Sequence, residues 1–583
     1  MTALRLTATD QAPTPSAVAP RIGARAVCEG LVREGVTTIF GYPGGTVLPI
    51  YDVLREFPLR HILVRHEQGG AHAADGFSRA TRGVGVAIAT SGPGAINLVT
   101  GLATAMMDSV PMVAITGNVP RALLGKDAFQ ETDIVGIALP VTKYATVVMD
   151  PDEVPLAVAE AFEIARSGRP GPVLLDFPKD VLQAETSAPH PEPYELRLPG
   201  LLRPKRGDVP EADDLAEMIA SSERPLILSG HGVQIAGAPD LLVQVAERAE
   251  IPVAHTLLGI GNIDETHRLS AGYAGMHGWM HANKALQQCD LLIGIGCRYD
   301  DRITGKTSTF APRAKIVHVD VDRSEIGKNV RTDLGIVADA GDLLAALLSR
   351  LPQSGPRDGW MAELAAWREV SEARSWHGSG SWRDGRLSAD YVVERIGVAT
   401  DHEATLVSDV GQNQMWAARY FGFRHPYRHL SSGGLGTMGY SVPASMGAAL
   451  GAPERETWAI TGDGGFQMTM QELATLVQDQ IPVRIAVLNN HRLGMIRQWQ
   501  EIIYGENYHS AELIGPDLVR LCESYGIPAW RATKIEDVDR VIAAARATPG
   551  PALIDFHLDE AQNVYPMMLP GKGLSDMVEG GAE

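Results

Sequence analysis

At 583 residues the chain is too long for one ordinary domain and divides most naturally into about three units. Its 45% hydrophobic content, with no apolar run near the ~20 residues that a membrane helix needs, predicts a soluble globular protein. The formal charge of -19 opposes a nucleic-acid role, which needs a basic face. The four cysteines, Cys28, Cys289, Cys297 and Cys522, lack metal-ligand spacing and read as structural thiols of a reducing, cytoplasmic compartment.

In chain order, residues 1–20 lack the apolar core of a signal peptide and read as a disordered leader. From Arg21, short apolar runs alternate with helix-like stretches, the pattern of parallel α/β domains. VTTIF, HILV, VGVAIAT, MVAIT and PVLLDF are strand candidates of a first domain over 21–190. The proline-rich ETSAPHPEPYELRLPG then reads as a linker. RPLILSG, DLLIGIG and AKIVHVDVD, followed by the helical GDLLAALLSRL, outline a second domain over 205–352. The glycine-rich RSWHGSGSWRDG separates it from a third domain over 386–565, with ATLVSDVG, TWAITGDGG, VRIAVLNN and PALIDFHL as its strands, and residues 566–583 form a tail. The expected fold is therefore α/β, with three doubly wound parallel sheets.

In such sheets, chemistry sits in loops leaving the carboxyl ends of strands. TWAIT runs into Gly462-Asp463-Gly464, and RIAVL runs into Asn489-Asn490. A hard cation such as magnesium takes oxygen ligands and shares them with phosphate, which suits Asp463 and the amide oxygen of Asn490, with a loop carbonyl, that of Arg492, as a third ligand. Glycine lets the backbone approach a diphosphate, and the following helix offers free amides to it. A Gly-Asp-Gly turn alone is common. Combined with the paired asparagines one helix and one strand later, it closely resembles the signature of thiamine-diphosphate enzymes.

That coenzyme also needs a carboxylate beside its aminopyrimidine, because the ring must remove a proton from the thiazolium carbon. Glu67, in RHEQG after HILV, resembles the glutamate that these enzymes use. Taken alone, an acidic residue in a helix's first turn needs no more explanation than the helix dipole, worth less than ~1 kcal/mol.

More specifically, the chain resembles the acetohydroxyacid synthase family from about Arg21 to its C-terminal segment. The stretches that carry the likeness are GYPGG at 41–45, RHEQG at 65–69, TSGPGA at 90–95, DAFQE at 127–131, SGRPGP at 167–172 and FPKD at 177–180. GMHG at 275–278, DDRITGK at 300–306, GLGTMGY at 434–440 and NNHRLGMIRQWQ at 489–500 complete them. The resemblance implies a backbone donor at Gly45 near the reacting centre, and Phe129, Gln130 and Lys179 at the substrate entrance. It assigns Val410, Gly411, Gln412 and Asn413 to the diphosphate, joined by Gly462, Gly464 and Met495, with Met438 beneath the coenzyme.

The middle domain resembles the family's FAD-binding domain, whose flavin has no redox task. Arg169, Gly230, Gly232, Thr256, Gly275, Met276, His277, Gly296, Arg298, Asp300, Asp320 and Asp339 are the contacts so implied. Arg302 and Trp499 would hold the carboxylate and alkyl chain of the second keto acid. The family also implies a homodimer or tetramer with the active site between subunits, a small regulatory subunit, and condensation of pyruvate with pyruvate or 2-ketobutyrate to begin branched-chain amino acid synthesis. Three departures stand out: His231 where the family has a third glycine, Asn413 where it has histidine, and Thr46 where alanine is common. A side chain at His231 is expected to crowd the flavin.

Related enzymes supply alternatives. A pyruvate oxidase or decarboxylase would share the coenzyme apparatus but lack DDRITGK and MIRQWQ, and a glyoxylate carboligase would lack Glu67. A silent FAD-binding scaffold would need neither Glu67 nor Asp463.

Overall fold

The structure is a computed structural model that describes residues 21–192, 207–373 and 385–579. The expected leader, half of the first linker and nearly all of the second lie outside the described residues.

Three six-stranded sheets follow one another along the chain, each wholly parallel. The first contains β1 (Thr38–Gly41), β2 (Arg60–Leu63), β3 (Gly85–Ala89), β4 (Met112–Asn118), β5 (Tyr144–Val147) and β6 (Pro172–Pro178), in the order β2-β1-β3-β4-β6-β5. The second contains β7 (Pro225–Ser229), β8 (Val253–His255), β9 (Ser270–Tyr273), β10 (Leu291–Ile295), β11 (Lys315–Asp320) and β12 (Leu334–Val337), ordered β12-β11-β10-β7-β8-β9. The third contains β13 (Thr405–Ser408), β14 (His429–Ser431), β15 (Thr457–Gly462), β16 (Val483–Asn489), β17 (Ala529–Ala532) and β18 (Ala552–His557), ordered β14-β13-β15-β16-β18-β17. The α/β class with three doubly wound sheets is thus the observed fold.

Central strands such as β3, β10 and β16 are buried along their whole length, which is why they read as unbroken apolar runs. In each sheet the chain starts on an inner strand, runs to one edge, and then crosses to the other side of that strand. The crevices fall between β1 and β3, between β7 and β10, and between β13 and β15, where ligands bind in open α/β sheets.

The first and third domains share one core, in which Phe40, Ala87 and Ala114 of the first sheet join Ala459, Ile485 and Phe466 of the third unit. The helices Glu67–Thr81 and Ser441–Gly451 meet there backbone to backbone. A Cβ on Gly76 would lie 1.9 Å from the carbonyl oxygen of Ala444, and one on Gly447 would lie 1.8 Å from that of Ala73. Arg79, on the first of these helices, donates to Asp75 at 2.7 Å and to Asp108 at 2.9 Å. Asp108 in turn accepts the amides of Gly433 and Gly434 in the third domain, and Tyr440 donates to Asp75 at 2.6 Å.

The C-terminal tail, as far as residue 579, also has regular structure. Residues of β19 (Met567–Met568) and β20 (Met577–Val578) form an antiparallel pair, and the amide of Met568 bonds to the carbonyl of Met276 in the middle domain at 2.9 Å. The four cysteines are buried and unpaired.

Alanine is the better helix former by about 0.8–1 kcal/mol. Gly447→Ala should nevertheless destabilise the protein by about 1–3 kcal/mol, since the two helices must separate to admit the methyl group. Differential scanning fluorimetry of the purified variant checks this; a rise in melting temperature would contradict the packing.

Candidate functional site

At the end of β15, Gly462 caps the helix Asp463–Thr469, so Asp463 enters the crevice as the first helical residue. Its side chain is buried and its Oδ1 has no hydrogen-bond partner among the described residues. Burial pushes its carboxyl up to about 7. Such an acceptor calls for a cation. Asn490 follows β16, where its amide nitrogen donates to Oε1 of Gln412 at 3.2 Å and its Oδ1 accepts the Arg492 amide at 3.2 Å. Among the described residues no group of three or more His, Cys, Asp or Glu is gathered for a metal. One carboxylate and one amide oxygen make an incomplete shell, which phosphate oxygens and a loop carbonyl would complete. The Arg492 side chain itself turns outward to Glu512 and Glu560.

Beyond β13, Gly411 adopts a φ of 122° and caps the helix Gln412–Tyr420, leaving that helix's first amides facing the same crevice. Asn413 donates to the Val410 carbonyl at 3.3 Å, and its nitrogen would lie 3.1 Å from a Cβ on Gly462, so only glycine fits there without displacement. Gly464 faces Leu493, and a Cβ there would be 3.5 Å from the Met438 Cε. Asp409, at the end of β13, was not singled out by the sequence motifs. It accepts the amides of Val410, Gly439 and Ser441 and so holds the GLGTMGY loop over the strand ends. Its signal was present: an acidic residue at the end of an apolar strand, directly before the diphosphate segment.

A cavity of about 560 Å³ opens from this crevice into the middle domain. From the third domain it is lined by Val410, Gly411, Met495 and Trp499, and from the middle domain by Arg302, Arg298 and Asp300, among others. Thr256, Met276, His277 and Gly296 form further wall, with Asp320, Asp339 and, from the first domain, Arg169. The ends of β7 and β10 meet with no room for side chains, since a Cβ on Gly230 would be 2.1 Å from the Gly296 oxygen and one on Gly232 would be 2.6 Å from its Cα. Gly230 therefore stands behind the lining, as does Gly275, whose Cβ would strike the Arg302 carbonyl at 2.7 Å. This cradle of glycines, with aspartates at successive strand ends, fits a dinucleotide such as FAD.

Several of the middle-domain carboxylates are already engaged. Asp339 caps the helix Ala340–Arg350 through the amide of Gly341 at 2.8 Å, Asp300 caps the short helix Asp301–Thr304, and Asp320 accepts the Asp322 amide at 2.8 Å. The His231 ring lines the cavity, but its Nδ1 lies 2.9 Å from the Asp108 carbonyl, an anchor in the first domain. Burial, reinforced by Arg79, lowers its pKa to about 4, so the ring is neutral and Nδ1 is the donor. Arg302 is exposed, 3.7 Å from Asp301, and the indole nitrogen of Trp499 is buried without a partner.

Glu67, Gly45, Phe129, Gln130 and Lys179 do not line this cavity. Glu67 opens the helix Glu67–Thr81, and its Oε2 accepts from Asn97 Nδ2 at 2.9 Å. Its Oε1 would touch a Cβ on Gly94 at 3.0 Å. A Cβ on Gly45 would meet nothing within 4 Å, so its backbone borders open space. Thr46 bonds the Thr90 hydroxyl at 3.0 Å and accepts the Ser91 amide at 3.1 Å, tying the loop after β1 to the end of β3. Gln130 has a φ of 61°, and Phe129 beside it is 88% exposed. Other apolar side chains of this domain, Leu48, Ile96, Leu123 and Leu139, are exposed as well. The third domain exposes Met468, on the helix begun by Asp463, and Ile514.

Comparison with known proteins agrees with this geometry. The thiamine pyrophosphate enzyme N-terminal TPP binding domain matches residues 21–137, the central domain of such enzymes matches 212–347, and their C-terminal TPP binding domain matches 409–556. The chain is 46% identical over 567 residues to the acetolactate synthase large subunit of Parasynechococcus marenigrum, covering 95% of this chain and 90% of that protein. It is 45% identical over 586 residues to the acetolactate synthase large subunit of Corynebacterium glutamicum, with 98% and 93% covered. A probable acetolactate synthase large subunit of Methanocaldococcus jannaschii is 45% identical over 564 residues, with 96% and 95% covered. With three matched domains and relatives of this similarity along nearly its whole length, the chain belongs to the acetolactate synthase large-subunit family of thiamine-diphosphate enzymes, for which magnesium and FAD are the typical companions.

Proposed function

We propose that the protein joins pyruvate to a second 2-keto acid with loss of carbon dioxide, giving 2-acetolactate from pyruvate and 2-aceto-2-hydroxybutyrate from 2-ketobutyrate, the first common step of branched-chain amino acid synthesis. The active site is completed by a second copy of the chain. What carries this reading is the separation of two half-sites: Glu67 is surrounded by first-domain groups, whereas Asp463, Trp499 and Arg302 border a crevice and cavity that Glu67 does not reach. Each half-site is flanked by exposed apolar side chains that a twofold partner would cover.

When bound, thiamine diphosphate supplies the carbon nucleophile and the electron sink for decarboxylation. The chain's residues hold and tune it. The amides after Gly411, with Gly462 and Gly464, receive the diphosphate, while Asp463 Oδ1, the Asn490 amide oxygen and the Arg492 carbonyl hold its magnesium. Met438, whose Cε lies near Gly464, would support the coenzyme, as would Met495 from the cavity wall. Asn97 fixes one oxygen of Glu67, leaving the other to exchange a proton with the pyrimidine nitrogen. The Gly45 amide donates near the reacting centre, and Gln130, Lys179 and Phe129 line the entrance. Arg302 holds the carboxylate of the second keto acid, with the Trp499 indole as the wall for its alkyl chain. FAD in the glycine cradle serves structure rather than redox chemistry. A small regulatory subunit, implied by the large-subunit relatives, is the expected partner in the cytoplasm.

Subunit complementation tests the shared site. Glu67→Gln and Asp463→Ala should each be inactive alone, and mixing and reassociating them should restore up to about a quarter of wild-type acetolactate formation, because half of the dimers then carry one intact site of two. An inactive mixture of demonstrably exchanged subunits would place both residues in one chain's own site.

Trp499→Leu should retain decarboxylation yet lower the share of 2-aceto-2-hydroxybutyrate in mixed-substrate assays. One methylene separates the acceptors, and an apolar wall can turn it into about 1–3 kcal/mol of preference. Arg302→Lys should instead weaken both acceptors, since the planar clamp is lost. An unchanged product ratio in the Trp499 variant would move the specificity wall elsewhere.

The flavin spectrum should stay oxidised throughout turnover, and a deaza flavin should support acetolactate formation. Reduction by pyruvate at the turnover rate would indicate an oxidase.

A further inference from the structure

Glu472 is buried, charged and unused by the chemistry above. It closes the 3-10 turn Met470–Glu472, which follows the helix Asp463–Thr469 after a bend at Thr469, where φ is -135°. Its side chain reaches from the third domain to the first. Oε1 accepts the amides of Arg65 and His66, each at 3.0 Å, and Oε2 accepts the Arg65 amide at 3.1 Å and the Thr475 hydroxyl at 2.8 Å. Gly69 packs directly on it, since a Cβ there would lie 2.6 Å from Oε1.

The two amides are the last before Glu67. An amide at this position, ahead of a helix's first turn, has no acceptor within its own helix. Glu472 therefore fixes where the chain enters the helix that presents Glu67. Burial pushes its carboxyl up to about 7, a cost that a space-filling apolar side chain would avoid.

We propose that Glu472 is a positioning residue for Glu67, tying the activating carboxylate of one active site to the metal-binding helix of the other. The second half of this statement rests on the shared-site reading above. Within one chain, Asp463 and Glu67 then serve different sites, and the run from Asp463 through Glu472 to Arg65 and His66 is the covalent and hydrogen-bonded path between them.

The test follows proton exchange at the thiazolium carbon of bound thiamine diphosphate, by deuterium labelling, beside coenzyme affinity measured by tryptophan fluorescence. Glu472→Gln should slow exchange about tenfold to a hundredfold, because its amide group would set a donor against a donor, while the dissociation constant for magnesium thiamine diphosphate stays within about threefold. Exchange at the wild-type rate in the folded variant would overturn the proposal. Hybrid dimers locate the effect. Added to an Asp463→Ala chain, whose Glu67 serves the one working site, Glu472→Gln should slow exchange there; added to a Glu67→Gln chain it should change nothing. Equal slowing from either chain would mark Glu472 as merely structural. Should the glutamine variant fail to dimerise, Thr475→Val, which removes one of the four bonds, should slow exchange about threefold, and no slowing would count against the role. If Glu67→Gln itself exchanges normally, it is the assignment of Glu67 that fails, whatever Glu472 does.

Discussion

The contact on which the architecture depends is the crossing of the helices Glu67–Thr81 and Ser441–Gly451. Gly76 and Gly447 let the two backbones touch, which draws the first and third sheets onto one apolar core. No longer side chain could occupy either position without separating the domains. The crossing is pinned by charge as well as by shape, because Arg79 spans Asp75 and Asp108 while Asp108 grips Gly433 and Gly434. A buried arginine between two carboxylates is tolerated only when hydrogen bonds satisfy it, and here they do so across three segments of chain.

This crossing also bears on the proposed division into half-sites. It fastens the Glu67 helix to the third domain of its own chain, and Glu67 does not line the cavity that Trp499 and Arg302 border. Asp409 and Glu472 work in the same spirit on the two halves. One fixes the loop carrying Met438 over the strand ends, and the other fixes the segment before Glu67. Neither needs to touch a ligand. The middle domain joins through the cavity itself, where His231 reaches across to the Asp108 carbonyl, so the same aspartate touches all three domains.

Much of this was legible in the residues. Strands buried on both faces, such as β3, β10 and β16, announced themselves as unbroken apolar runs, and the Gly-Asp-Gly and Asn-Asn motifs fell at the ends of β15 and β16. The edge strands β5, β12 and β17 did not, because with one side toward solvent they carry mixed residues and few apolar neighbours. His231 illustrates a different limit. As a replacement for glycine it suggested a crowded flavin site, yet its ring is drawn toward a carbonyl some 120 positions earlier, a partner that no local pattern reveals. Glu472 was missed for the same reason: the amides it accepts, of Arg65 and His66, lie in another domain, so spacing along the chain gives no hint of them.

The hairpin of Met567–Met568 and Met577–Val578 has a bearing on how the protein is made. Met568 bonds to Met276, Lys572 offers its carbonyl to the Lys306 amide, and Met568 packs on Gly305, so the loop carrying Arg302 is braced by a segment that follows the whole third domain in the chain. The middle domain can begin to fold before that segment is made, but the wall around Arg302 must wait until the third domain has been translated. Truncation before Met567 therefore acts on the middle domain, far from the cut in sequence.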